Sequence, residues 1–100
     1  MNAEPDAELD RRAAALVIGW MGATQMTGDE LYAARRKLGE MWGKGRPLHA
    51  SEMGRALRLG GRDPGESIRD YERGKTTISG PVSVAVEMML RGSLPPDGVP

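Results

Sequence analysis

The five-residue break Gly-Gly-Arg-Asp-Pro at positions 60–64 limits the possible fold more than any other feature of the sequence. Two glycines followed by Asp-Pro cannot continue a helix, so a helix that precedes the break must end there. Beyond it, Asp63 is suited to cap a new helix, Pro64 fits the first helical position, and Glu66 stands where a capping box has its acid. The break therefore predicts two short helices joined by a turn.

Apolar spacing along the rest of the chain predicts helices and no strand. Five segments show a helical period or helix boundaries, and they span about residues 6–20, 28–38, 49–59, 64–72 and 80–91. The first has one apolar stripe, formed by Leu9, Ala13, Leu16, Val17 and Trp20. We therefore expect an all-α fold, a small bundle of about five helices.

The second predicted helix has boundary signals at both ends. Thr27 stands at the N-cap position and Glu30 follows three residues later, which is the pattern of a capping box. Gly39 occupies the place where a glycine commonly ends a helix. The face that we expect to be buried consists of Leu31, Ala34 and Leu38.

Length and composition indicate one domain. We place it at residues 27–92, between an N-terminal extension (1–26) and a flexible tail (93–100) that contains three prolines. The chain has no cysteine, which excludes disulfides and thiolate metal sites. No apolar run approaches the roughly 20 residues that cross a membrane, and the acidic start is unlike a secretory signal. These features predict a cytoplasmic protein with no membrane segment, cofactor or metal.

Charge is balanced overall but unevenly distributed. The chain has 14 basic and 14 acidic residues. Residues 41–80 hold eight lysines and arginines against five acids, a balance of +3, and the two flanks together carry −3. A basic middle between acidic ends fits a face that meets phosphates, and a solvated surface of mixed charge fits the same numbers.

The short helix after the break combines a narrow apolar stripe with a wide polar face. Within residues 64–74, Ile68 and Tyr71 are the only large apolar side chains. Spaced three apart, they hold one edge of the helix and leave the rest open. The open positions are Gly65, Glu66, Ser67, Arg69, Asp70 and Arg73. A helix that reads bases in the major groove needs this distribution.

Two runs of residues resemble a known family. Residues 48–57, Leu-His-Ala-Ser-Glu-Met-Gly-Arg-Ala-Leu, and residues 67–74, Ser-Ile-Arg-Asp-Tyr-Glu-Arg-Gly, are similar to the Cro/lambda-repressor-type (XRE-like) helix-turn-helix family. The resemblance covers about residues 27–92, and Ala50 replaces the glutamine that the family usually has. It implies a lambda-repressor-like helix-turn-helix in which residues 64–72 form the recognition helix.

The resemblance also implies site residues. Positions where side chains of this family meet base edges correspond here to Glu66, Arg69 and Asp70, and Gly65 leaves room for close approach. With the open position Ser67, these five residues are the base-reading candidates. Arg69 can read a guanine and Glu66 a cytosine, while a capping role is the alternative for Glu66. Asp70 needs a partner, Arg69 or Arg73, near phosphates, and we expect Glu72 to orient an arginine. The candidates for phosphate contact are Lys44, Arg46, Arg62, Tyr71, Arg73, Lys75, Thr76 and Thr77.

The last predicted helix is apolar on nearly every side. Val82, Ala85, Val86 and Met89 form one stripe, and Val84, Met88 and Leu90 cover much of the remainder. Such a helix is buried on two sides, so the second set predicts a dimer interface with another copy of the chain. Two alternatives stay open: these residues cover neighbouring loops, or the helix over residues 6–20 is the dimer arm.

The sequence therefore predicts a dimeric, sequence-specific regulator of transcription of bacterial or phage origin, a repressor that binds a near-palindromic operator in double-stranded DNA. Catalysis is not expected, because His49 is the only histidine and the carboxylates are scattered among arginines. Two rival functions are the antitoxin of a toxin–antitoxin pair, with a toxin as partner, and a protein-interaction adaptor that has the fold without DNA binding.

Overall fold

A computed structural model describes residues 25–100 of the chain. In this range the chain forms four helices and no strand, which confirms the all-helical prediction. The helices are α1 (Gly28–Met41), α2 (Ala50–Ala56), α3 (Gly65–Glu72) and α4 (Gly80–Leu90). The helix predicted over residues 6–20 lies outside the described residues. Among those described, no helix has the length and apolarity to cross a membrane.

Helix α1 begins as the sequence predicts but ends later. The Thr27 hydroxyl accepts a hydrogen bond from the Glu30 amide (3.2 Å), and the Glu30 carboxylate accepts one from the Thr27 amide (2.7 Å), so the capping box is confirmed. The prediction that Gly39 ends the helix is wrong. This glycine is buried inside α1, where an added Cβ would lie 1.8 Å from the Arg46 carbonyl oxygen, and the helix continues to Met41.

All four helices end in the same way. After each C-cap one residue is left-handed, and its amide and the next one bond back to carbonyls of the last turn, as in a Schellman motif. Glycine occupies the left-handed position after α1, α3 and α4, whereas Arg58 (φ 55°) occupies it after α2. Because Arg58 takes this conformation, α2 ends at Ala56 and not at the predicted residue 59.

The core is aliphatic and is shared by the four helices and the segments between them. Its fully buried large side chains are Leu31, Leu38, Leu48, Met53, Ile68, Ile78 and Val86. Buried Ser83 links α4 to the segment before α1: its hydroxyl accepts a hydrogen bond from the Met26 amide (3.1 Å) and donates one to the Ser79 carbonyl (3.0 Å). The expected burial of the Leu31, Ala34 and Leu38 face of α1 is confirmed.

The segment predicted as a flexible tail, residues 93–100, lies against the helices. Pro95 is buried, and the Arg58 guanidinium donates two hydrogen bonds to the Asp97 carboxylate (2.9 and 2.8 Å). The Lys44 ammonium contacts the Pro100 carbonyl. In this arrangement the segment runs beside the turn that joins α2 to α3.

Candidate nucleic-acid interface

Helices α2 and α3 are in backbone contact at two glycines. A Cβ added to Gly54 of α2 would lie 1.9 Å from the carbonyl oxygen of Pro64, and one added to Gly65 of α3 would lie 2.7 Å from the amide nitrogen of Ser51. Real Cβ atoms do not approach backbone this closely. Glycine at both positions is therefore what permits the two helices to cross where they do.

The other end of α3 is held by α1. The Glu72 carboxylate accepts two hydrogen bonds from the Arg35 guanidinium (2.9 and 2.8 Å), and Arg35 also donates to the Leu48 carbonyl. Glu72 thus binds an arginine as expected, and the arginine belongs to α1. Gly28 lies against the backbone of α3, where an added Cβ would be 2.6 Å from the Tyr71 carbonyl oxygen. With Ile68 fully buried between these contacts, α3 is fixed along its whole inner side.

The outer side of α3 carries three exposed polar side chains, Glu66, Arg69 and Arg73. Ser67 and Asp70 are half-buried. Gly65, which we expected on the open face, is buried against α2 and serves the helix crossing. Two of the five candidate base-reading residues, Glu66 and Arg69, are therefore exposed.

The arginines of this face have acidic partners. Arg69 contacts the Asp63 carboxylate just before α3, and Arg73 donates to the Asp70 carboxylate (2.7 Å), the pairing that the sequence required of Asp70. Asp63 also accepts a hydrogen bond from the Gly65 amide (2.9 Å). This bond, followed by the contact with Arg69, lowers the pKa of Asp63 below its usual value.

The second predicted capping box does not form. Asp63 caps the first turn of α3 through the Gly65 amide, but the Glu66 side chain makes no hydrogen bond within residues 25–100. Its carboxylate is therefore available to a partner. The Asp63 carboxylate satisfies one amide at the start of α3 by itself, so the reciprocal bond is not required.

The eight candidates for phosphate contact differ in exposure and in partners; one of them, Arg73, is exposed and paired with Asp70, as described above. Arg62, Lys75, Thr76 and Thr77 are exposed, and neither cation makes an ion pair in the described part of the chain. Tyr71 is half-buried and packs against the core. Arg55 of α2, which sequence reasoning missed, is a further exposed cation without an ion pair there, and it lines a shallow cavity together with Gly61 and Pro64. The position of Arg55 on the polar side of α2 is the sequence signal that could have identified it as a candidate for phosphate contact.

Lys44 and Arg46, two further candidates, are turned toward the buried carboxylate of Glu52. Arg46 donates two hydrogen bonds to Glu52 of α2 (2.8 and 3.2 Å), and the Lys44 ammonium lies 3.6 Å from Glu52. The His49 amide donates to the same carboxylate (2.7 Å). Chiefly the hydrogen bond from Arg46, aided by that from His49, lowers the pKa of Glu52 to about 2. These contacts fasten the loop at residues 43–47 to α2.

Glu52 makes the stability of the domain depend on pH. Because its pKa is lower in the folded chain than its usual value of 4.5, the charged form favours folding above pH 4.5, and this stabilisation is lost as the pH falls toward 2. Glu52→Gln is expected to lower the free energy of unfolding at pH 7 by about 1–3 kcal/mol, with the difference from wild type shrinking between pH 5 and pH 2.

Urea unfolding at pH 7, 5, 3.5 and 2 measures this dependence. Glu66→Gln is the matched control, since the exposed Glu66 carboxylate has no partner within the described range. It should follow the wild-type curve. A constant difference between Glu52→Gln and wild type at all four values would contradict the assignment.

Comparison of the chain with protein-family models, with curated proteins and with solved structures finds no match. Among residues 25–100, no group of three or more histidine, cysteine or acidic side chains could hold a metal ion. The candidate site therefore stands on its geometry: a short helix, α3, fixed along its inner side, with polar side chains outward and cations at both ends.

Proposed function

We propose that the chain is a sequence-specific DNA-binding regulator in which α2, the turn at residues 57–64 and α3 act as a helix-turn-helix. The observation that carries the proposal is that α3 is fixed along its inner side and exposed along its outer side. Gly65, Ile68 and Glu72 hold its inner side, and its outer side presents long polar side chains on a rigid support. The major groove, about 12 Å wide, admits one α-helix and is read by side chains of this kind.

The cations around α3 support the same proposal. Arg62 lies before the helix and Lys75 after it, both exposed and without an ion pair in the described chain. A helix in the major groove has a phosphate backbone on each side, so cations beyond both of its ends suit that placement. In our proposal Arg62 and Lys75 bind phosphates, with the hydroxyls of Thr76 and Thr77 beside Lys75.

Base reading is assigned to Arg69 and Glu66. Asp63 holds Arg69 beside the start of α3, where DNA phosphates would repel the aspartate and attract the arginine. Release of this exposed contact costs little, because surface ion pairs contribute only about 0–1 kcal/mol. Arg69 then donates to O6 and N7 of a guanine, and Glu66 accepts from N4 of a cytosine.

Replacement of Arg69 tests this assignment. Sites are first selected from random DNA with the wild-type chain, and affinities are then measured by fluorescence anisotropy at about 50 and 200 mM salt. Arg69→Ala is expected to weaken binding to the selected site roughly tenfold to a hundredfold and to relax the preference at one base pair. Arg91→Ala is the control, because Arg91 is also an exposed arginine with an acidic partner, Glu87, but follows α4.

The outcomes are distinct. Equal losses for both variants would indicate a general charge effect, and unchanged affinity and site preference in Arg69→Ala would contradict base reading by this residue.

In the proposal two copies bind a near-palindromic operator with half-sites about 34 Å apart. A symmetric selected site and a two-to-one complex in sedimentation are the expected results.

One observation favours a second candidate, a protein-interaction adaptor. Arg69 and Arg73 each have an acidic partner, so the outer face of α3 is nearly charge-balanced in the free chain. Non-specific DNA affinity comes mainly from unbalanced cations. If the chain binds no DNA at about 50 mM salt, the proposal of a DNA-binding regulator is rejected in favour of the protein-interaction adaptor.

A further inference from the structure

Large apolar side chains are exposed together beside α4. Val84 and Met88 of α4 are 56% and 53% exposed, and Leu94 of the following segment is 67% exposed. Val84 and Met88 are four residues apart, so they lie on the same side of the helix. Met88 and Leu94 also line a groove of about 290 Å³ whose other walls include Leu57, Ala85 and Pro95. We call Val84, Met88, Leu94 and this groove the α4 surface.

The chain enters the described structure next to the α4 surface. The Met26 amide is hydrogen-bonded to Ser83, which directly precedes Val84. Residues 1–24 lie outside the described part, and the apolar stripe predicted there ends at Trp20, six residues before Met26. Six residues span at most about 20 Å, and α4, with 11 residues, is about 16 Å long. The six-residue connection is therefore long enough for Trp20 to reach Met88, which lies five residues along α4 from Ser83.

We propose that the apolar stripe of the N-terminal segment, with Leu9, Leu16, Val17 and Trp20, binds the α4 surface of its own chain. A second copy is the other conceivable occupant, but a stable dimer needs about 800 Å² from each partner. A segment tethered six residues away acts at an effective concentration in the mM range and needs far less area. The proposal does not depend on DNA binding.

Trypsin cleavage after Arg11 and Arg12 tests the proposal, because both sites lie inside the stripe. In the full chain these sites should be cleaved slowly. Met88→Glu places a charge in the α4 surface and is expected to speed cleavage there about tenfold, since proteolysis follows the population of the released segment. Met41→Glu is the control: Met41 is exposed at the end of α1 and does not line the groove, so the rate should stay at the wild-type value.

A second variant leaves α4 intact. Trp20→Ala removes the largest side chain of the stripe and should speed cleavage as well, while circular dichroism shows the helices retained. Sedimentation at several concentrations distinguishes binding of the chain's own N-terminal segment, which leaves a monomer, from binding of a second copy, which gives a dimer. Equal cleavage rates for wild type, Met88→Glu and Trp20→Ala would overturn the proposal. It would also be overturned if the wild-type chain were a dimer that Met88→Glu converts to monomers, and if the protection of Arg11 and Arg12 increased with protein concentration.

Discussion

Gly54→Ala is expected to lower the free energy of unfolding by about 2 kcal/mol or more and Tm by roughly 8–16 °C. The new Cβ would lie 1.9 Å from the Pro64 carbonyl oxygen, which belongs to the backbone and cannot move unless α3 moves with it. Overpacking typically costs about 1–3 kcal/mol and occasionally more. A contact this short with backbone belongs at the upper end of that range, and the better helix propensity of alanine returns only about 1 kcal/mol. Urea and thermal unfolding measure the difference.

Gly60→Ala is the matched control for this substitution. Gly60 lies in the connection between α2 and α3, six residues after Gly54. A Cβ added there meets nothing within 4 Å, and its φ is not in the left-handed region. Its stability should stay within about 0.5 kcal/mol of wild type. If Gly54→Ala were as stable as Gly60→Ala, α2 and α3 could not cross as closely as described.

Glu72→Ala is expected to lower the free energy of unfolding by about 2–3 kcal/mol. The substitution leaves the Arg35 guanidinium, which is mostly buried, without its carboxylate and with only the Leu48 carbonyl as acceptor. Removal of one partner from a fully buried pair costs about 3–5 kcal/mol, and the residual exposure of these two side chains reduces that value. Because Glu72 ends α3, we also expect weaker binding to the selected DNA site at temperatures where the variant is folded.

A double-mutant cycle with Arg35→Ala isolates the pair itself. The two substitutions should be strongly non-additive, since each removes the same two hydrogen bonds. Glu40→Ala serves as control: Glu40 pairs with Lys37 at 3.5 Å on the exposed side of α1, and its loss should cost less than about 0.5 kcal/mol. Additive effects of Glu72→Ala and Arg35→Ala would show that the contact contributes nothing to stability.

Helix starts were predictable because their signals act over a few residues. Thr27 and Glu30 bond each other three positions apart, and Ser79 accepts a hydrogen bond from the Val82 amide (3.3 Å) at the start of α4. Helix ends were less predictable. A glycine marks three of them, but Arg58 ends α2, and nothing in its side chain indicates a left-handed backbone.

The candidate site was predictable in its outline and less so in its contacts. The narrow apolar stripe of α3 correctly indicated which side would be open, because Ile68 is buried while Glu66 and Arg69 are exposed. The sequence did not indicate that Lys44 and Arg46 would turn to Glu52, since any exposed loop cation has several acids within reach of its long side chain.

The sequence by itself determined the local features of this chain: the presence of four helices in the described residues, the caps at Thr27 and Ser79, the buried stripe of each helix and the polar outer face of α3. These depend on spacings of one to four residues, which the printed sequence displays directly. The tertiary structure alone decided that Gly39 and Gly54 are packing positions and that Glu72 bonds Arg35 across 37 positions of the chain. Such contacts depend on where the packed helices bring distant residues together, and no local spacing encodes that distance.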